Sequence, residues 1–232
     1  MAGKKRKKIY LLYVVLCAAA AFLLIAGFVQ RNAAKTYRVA CIGDSITYGT
    51  GVLQTRDTDS YPALLQALSN GRYLAENYGA GGRTLLEGNK KSYSKTGYLE
   101  KIEAEEPDIL LVMLGTNDSK PRNWDAAEYE AQYEALVQRL MALPNSPKVY
   151  VMIPPAAFPG EDGLAVYNID PQVIREQLTK IIPRIAEKTG AGLIDLYTPT
   201  EGHPEYFTDG VHPNRQGNEV IAREVYLTIS EN

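Results

Sequence analysis

The sequence predicts an α/β fold: a three-layer α/β/α sandwich around a mostly parallel, five-stranded sheet, preceded by one membrane-spanning helix. Three observations carry that expectation. Short apolar runs alternate with helical patterns from residue 37 to residue 229. The run 108–114 is apolar after its first residue, as in a parallel strand covered on both faces. A stretch of 21 uncharged residues, 9–29, follows a basic cluster near the amino end.

Taken in order, Lys4, Lys5, Arg6, Lys7 and Lys8 form that cluster. At about 1.5 Å per residue the stretch behind it spans about 30 Å, the thickness of a bilayer hydrocarbon core. The basic run stays on the cytoplasmic side, so the remainder is expected outside the membrane. Secretory signals that are cleaved have apolar cores of about 7–15 residues, and no A-x-A site stands near 31–34, so an uncleaved anchor is favoured over secretion. The expected organisation is a cytoplasmic tail 1–8, a signal anchor 9–29, a linker 30–36 and one globular domain 37–232.

Within that domain, 37–43 reads as a strand ending at Gly43, 60–68 as a helix with Pro62 in its first turn, and 73–77 as a second strand. The strand 108–114 follows, then a helix 125–143 with Asp125 as its cap. The strand 148–153, a helix 171–188 kinked at Pro183, the strand 192–196 and a closing helix 214–229 complete the series. Strands alternating with helices through right-handed crossovers give a flavodoxin-like sheet with helices on both faces. Ligands bind beyond the carboxyl ends of such strands, which makes the irregular stretches 86–95 and 154–170 candidates for shaping a pocket.

Composition narrows the function. Residues 1–35 hold seven of the 25 Lys and Arg and no acid, so the rest carries 18 basic against 27 acidic residues, a formal charge of −9. Such a surface repels polyanions and excludes nucleic acid as a partner. Cys17 in the apolar stretch and Cys41 in the first strand do not meet, so no disulfide framework is implied. With two Cys and two His, no metal site and no cofactor is expected.

Four segments carry chemistry. Gly43-Asp44-Ser45-Ile46-Thr47 ends the first strand. A serine there exposes its hydroxyl at the sheet's rim and leaves its N–H free for an acyl oxygen, although Gly-Asp-Ser alone is a common turn. Asn77-Tyr78-Gly79-Ala80-Gly81-Gly82-Arg83-Thr84 is a glycine-rich loop whose backbone can come close to a ligand, and a free Gly82 N–H could donate to an oxyanion. It lacks the Gly-Lys-Ser/Thr ending of a phosphate loop. Gly115-Thr116-Asn117-Asp118 offers the neutral amide of Asn117, with an ordinary Asx turn as the competing reading. In Asp209-Gly210-Val211-His212-Pro213-Asn214, two intervening residues let the carboxylate fold back onto the imidazole, fix its tautomer and leave the other nitrogen for the serine proton. Pro213 suits the first position of the last helix. His203, between Gly202 and Pro204, reads as a surface residue.

These four blocks, in this order, resemble the SGNH hydrolases, also called GDSL lipases and esterases, over the whole chain beyond the anchor. The resemblance implies Ser45 as nucleophile, His212 as base and Asp209 as its orienting carboxylate. It implies an oxyanion hole from the Ser45 N–H, Gly82 and Asn117. Gly82 suits that role better than Gly79, since the family's donor glycine stands two residues before the loop's Thr. Ile46 replaces the leucine of the name-giving motif, which leaves the chemistry untouched. The implied reaction is acyl transfer to serine followed by hydrolysis; acetyl transfer uses the same triad.

Tyr48, Arg83, Tyr93, Tyr98, Arg122 and Trp124 are expected near the site, the tyrosines chiefly as packing residues. Asp44, Arg83 and Trp124 are the candidate substrate contacts. The segment 115–124 resembles a sialate O-acetylesterase-like subgroup, implying a carbohydrate O-acetyl ester as substrate. A lysophospholipase or short-chain lipase, and a noncatalytic glycan-binding module, stand as alternatives.

Overall fold

The computed structural model describes residues 35–231. The tail 1–8, the anchor 9–29 and most of the linker 30–36 lie outside the described residues, among which no helix is long and apolar enough to cross a membrane. The described chain forms strands β1 (Tyr37–Gly43), β2 (Tyr73–Gly79), β3 (Ile109–Met113), β4 (Lys148–Ile153) and β5 (Gly192–Asp195). All pair in parallel, in the order β2-β1-β3-β4-β5. The chain leaves β1 toward one edge and later passes back across it to build the other. Its crevice therefore opens where the strand order reverses, at the carboxyl ends of β1 and β3.

Alternation along the strands makes two cores. Ala40, Ile42, Leu110, Val112 and Leu114 face one side, where they pack with Leu99, Ile102, Tyr129, Tyr133, Ile182 and Ile185. Those residues come from α3 (Tyr98–Glu105), α4 (Ala126–Met141) and α5 (Thr179–Thr189). Val39, Cys41, Leu111 and Met113 face the opposite side, against Tyr61 and Leu65 of α2 (Tyr61–Leu68) and Ile221, Ala222 and Val225 of α6 (Arg215–Ser230). Burial of this apolar surface on both faces holds the three layers together. Cys41 is a free thiol buried in the second core, and burial pushes its pKa up to about 12.

Four details depart from the sequence expectation. Strand β2 runs two residues further, so that Gly79 pairs beside Gly43. Helix α3 was not foreseen because only Leu99 and Ile102 mark its buried stripe, too few turns for periodicity to register. The irregularity expected at Pro183 lies before it: α5 is entered through a π turn, Ile174–Leu178, where the Thr179 N–H reaches back to the Ile174 carbonyl. Asn214, not Pro213, stands at the entrance of α6, its side chain accepting from the Gly217 N–H.

One buried side chain links the ends of the domain. Asn218 on α6 accepts the Tyr61 N–H at 2.9 Å and donates to the carbonyls of Pro213 and Asn214, each at 2.9 Å. It thus fixes the segment before α6 to the helix that follows β1.

Candidate active site

Strand β1 ends at Gly43, and Asp44 caps the single turn α1 (Ser45–Tyr48), its carboxylate accepting the Ile46 N–H at 2.9 Å. The turn is tight: a Cβ on Gly43 would lie 2.0 Å from the Thr47 hydroxyl, and one on Gly79 would lie 2.1 Å from the Tyr48 nitrogen. Glycine at both positions lets β1, β2 and α1 come together. As the first residue of a helical turn, Ser45 has a backbone N–H with no acceptor inside the helix.

The hydroxyl of Ser45 meets the imidazole of His212, Nε2 to Oγ 2.9 Å. On the ring's other side Nδ1 lies 2.7 Å from Asp209 Oδ2. Asp209 Oδ1 accepts the N–H groups of Val211 (3.0 Å) and His212 (2.8 Å), which fixes the carboxylate under the ring. The segment is anchored further by Thr208, whose N–H and hydroxyl both donate to the His212 carbonyl, and by the Phe158 N–H donating to the Gly210 carbonyl. Gly210 has φ +83°, and a Cβ there would lie 2.9 Å from the Phe158 carbonyl oxygen. His212 is buried, while the Asp209 side chain is 32% exposed. Burial raises the Asp209 pKa, but hydrogen bonds from the His212 ring and from the two N–H groups outweigh it and hold the carboxyl below its usual range.

The three groups expected as oxyanion donors, the Ser45 N–H, the Gly82 N–H and the Asn117 amide, follow β1, β2 and β3 respectively. The Gly79 N–H is spent on the Asn77 side chain at 2.9 Å, and Asn77 in turn donates to the Thr47 carbonyl at 2.8 Å. Gly79 is thereby a packing and pairing residue. Gly82 instead sits in a turn with φ +72°, with only the flexible Lys91 side chain near the place of a Cβ. Asn117 is buried, and one of its amide hydrogens goes to Asp44 Oδ2 at 3.3 Å, which leaves the second to point elsewhere.

Two carboxylates that sequence reasoning did not assign to this framework hold it. Asp118 is fully buried and accepts the Leu85 and Leu86 N–H groups at 3.0 and 2.9 Å, tying the loop that carries Gly82 to the loop that carries Asn117. Its position next to Asn117 was the available signal. Asp44, expected as a substrate contact, is 1% exposed and occupied by Ile46 and Asn117; it positions the turn and the amide instead. Burial raises both carboxyls to about 6, with backbone N–H groups pulling back in each case. The neighbouring Lys120 is buried and its pKa lowered, first by desolvation and then by the charges of Arg122 and Lys91.

The remaining expectations divide. Trp124 is partly buried and held by packing: its indole N–H donates to Gln177 at 3.0 Å and its ring lies 5.3 Å from that of Tyr129. Arg83 is half-buried, with its Nε unpartnered among the described residues. The Tyr93 hydroxyl donates to the Tyr78 carbonyl from within the core, and Tyr98 packs edge-on against Tyr78. Tyr48 lies under the Arg56 guanidinium. His203 stacks on Tyr206 and pairs with Glu205. Among the described residues no cluster of three or more His, Cys, Asp or Glu gathers as metal ligands would.

A hydroxyl, an imidazole and a carboxylate in one hydrogen-bonded line can ionise the hydroxyl during attack on a carbonyl carbon. Residues 41–220 match the GDSL-like Lipase/Acylhydrolase family. An acetylxylan esterase of Xylanibacter ruminicola is 31% identical over 211 residues, covering 83% of this chain and 43% of that protein. The chain thus spans less than half of that relative's length. An isoamyl acetate-hydrolyzing esterase of Schizosaccharomyces pombe is 28% identical over 200 residues, covering 84% of this chain and 75% of the relative. Among solved structures, a carbohydrate acetylesterase from Sinorhizobium meliloti shares the fold, with a TM-score of 0.72 at 19% identity over 84% of this chain and 99% of that one.

Proposed function

The chain belongs to the GDSL-like lipase/acylhydrolase family, and from that premise we propose that it is a serine esterase removing short acyl groups, acetyl above all, from carbohydrates. The observation that carries the reading is the unbroken line from Asp209 through His212 to Ser45, at 2.7 and 2.9 Å. Ser45 Oγ attacks the ester carbonyl as its proton passes to His212 Nε2, and Asp209 stabilises the resulting imidazolium. The carbonyl oxygen, now negative, accepts from the Ser45 N–H, the Gly82 N–H and the Asn117 amide. Collapse expels the alcohol oxygen, which takes the proton from Nε2 and leaves an acyl-serine. Water then attacks with His212 again as base, releasing the carboxylic acid and restoring the hydroxyl.

The names of the relatives support an acetyl ester: one is an acetylxylan esterase and another hydrolyses isoamyl acetate. The narrower form of the reading follows the sialate O-acetylesterase-like resemblance of residues 115–124, with a glycan O-acetyl group as substrate. Acetate release from a panel of acetylated glycans, run beside acetyl, butyryl and decanoyl esters, tests it. Wild-type protein is expected to release acetate, and Ser45→Ala to lose about 10⁴–10⁶-fold in turnover. Preference for the decanoyl ester would overturn the carbohydrate reading, and wild-type turnover by Ser45→Ala would overturn the nucleophile.

A further inference from the structure

Tyr167 belongs to none of the four motif blocks, yet its ring stands edge-on to that of His212, with centroids 5.6 Å apart and planes at 67°. His212 is 4% exposed and Tyr167 is 65% exposed, so the tyrosine forms the solvent-facing surface next to a buried imidazole. Its backbone is also unusual. Tyr167 has φ +61° and ψ 20°, and Asn168 follows at φ +60°. Two left-handed residues in succession make the tip of a tight hairpin, a place that selects Gly or Asn and penalises a ring-bearing side chain. The hairpin is nevertheless closed, by the Ala165 N–H donating to the Ile169 carbonyl at 2.8 Å. Its return limb is held by the Asp170 N–H donating to the Ser119 hydroxyl at 3.2 Å. The backbone alone does not account for a tyrosine at this tip.

The strand order says what the ring faces. The three oxyanion donors sit beyond β1, β2 and β3, whereas the Tyr167 hairpin follows β4 and His212 follows β5. An ester held with its carbonyl oxygen toward the donors has its alcohol oxygen toward His212 Nε2, which must protonate it. The group carried by that oxygen then extends past the imidazole, where Tyr167 stands. Beside Tyr167, on the Asp209 side of the imidazole, a cavity of about 520 Å³ opens between Phe158, Leu164, Tyr167, Asp209 and Gly210. It offers an aromatic face and a polar rim together, the pairing that suits a sugar ring, with its C–H face on the aromatic and its hydroxyls toward polar groups.

We propose that Tyr167 is the platform on which the alcohol portion of the substrate, a pyranose ring bearing the ester, stacks during deacylation of the sugar. This rests on the esterase reading above and assigns the side of the site that selects the alcohol. The test compares acetylated xylo-oligosaccharides with ethyl acetate, whose alcohol is too small to reach the ring. Tyr167→Ala and Tyr167→Asn are expected to raise KM for the sugar ester about tenfold with kcat little changed, and to leave kcat/KM for ethyl acetate within about twofold of wild type. Tyr167→Phe, which keeps the ring, is expected to match wild type. Asparagine suits the left-handed backbone, so Tyr167→Asn is expected to unfold in urea at or above the wild-type midpoint, which separates loss of the ring from loss of the fold. An unchanged sugar KM in Tyr167→Ala and Tyr167→Asn overturns the proposal while leaving the esterase reading intact. So does an equal fall in kcat on both substrates, because that would make Tyr167 a support for His212. If wild-type protein cleaves ethyl acetate but no sugar acetate, the proposal falls together with the carbohydrate reading.

Discussion

Two loops of similar length leave the carboxyl edge of the sheet, 80–97 after β2 and 154–170 after β4, and they are built in opposite ways. In the first, Thr84, Leu85, Leu86, Ser92 and Tyr93 are buried, and Asp118 grips two successive N–H groups. In the second, Val166 is 40% exposed, Tyr167 is 65% exposed, and two left-handed residues form the tip. On the proposed mechanism, the inward loop fixes a backbone donor whose position must not change, since an oxyanion hole works through preorganised dipoles. The outward loop presents a side chain, and what it presents can vary without disturbing the line from Asp209 to Ser45. On the reading proposed above, the difference separates the part that performs the reaction from the part that selects its substrate.

The strongest way to break that division is Asn117→Ala. Loss of one oxyanion donor is expected to cut kcat by about 10²–10³, about 2.7–4 kcal/mol of transition-state stabilisation. The factor should be the same for ethyl acetate and sugar acetates, because the carbonyl oxygen is the only part of the substrate that the amide is proposed to meet. Steady-state kinetics on both esters checks this, and a loss confined to the sugar ester would merge the two regions into one.

Gly79→Ala and Gly82→Ala sharpen the comparison within the inward side. A Cβ on Gly79 meets the Tyr48 backbone nitrogen at 2.1 Å, so the variant is expected to lose about 3 kcal/mol of stability. Gly82→Ala meets only a lysine side chain and is expected to cost about 1–2 kcal/mol, through its positive φ alone. Urea midpoints measured side by side give the order, and a reversed order would deny the tight β2–α1 contact.

The smallest effect is one of pH. Asp118 is raised to about 6 in the fold by burial, while a carboxyl in the unfolded chain titrates near ~3.9. Between those values the folded state holds the extra proton. The contribution of Asp118 to stability is therefore fully present below about 4 and is lost as pH rises through about 6. Asp209, held low, contributes in the opposite sense: its share is present above the unfolded value and is lost as pH falls through its folded value. Asp118→Asn should make the slope of the urea midpoint against pH more positive between pH 4 and 6. Identical slopes in variant and wild type would mean that Asp118 ionises like a surface carboxylate.

Much of this was legible in the amino-acid order. Strands β1, β3 and β4 are dominated by local apolar runs, and the Ser45 turn and the Asp209–His212 segment are short, self-contained signals. What stayed hidden depends on groups distant in the chain. The amide that meets Asp44 is 73 residues away, so an aspartate beside the serine looked like a substrate contact. The hold on Trp124 was hidden because its indole partner, Gln177, lies 53 residues on. Tyr167 escaped because nothing in Val166-Tyr167-Asn168-Ile169 announces a positive φ at a tyrosine, and its importance lies in a neighbour on another loop. The α3 helix failed for a local reason, having too little apolar periodicity to read.

The Ser45 hydroxyl and the His212 imidazole touch although 167 residues separate them, and Asn218 fastens the base's segment to the helix behind the serine. A ribosome therefore releases nearly the entire domain before the two can meet. A nascent or clipped chain ending short of His212 carries its serine without the partner that would make it reactive. On the esterase reading proposed above, the reactive pair is complete only once the segment before the last helix has docked.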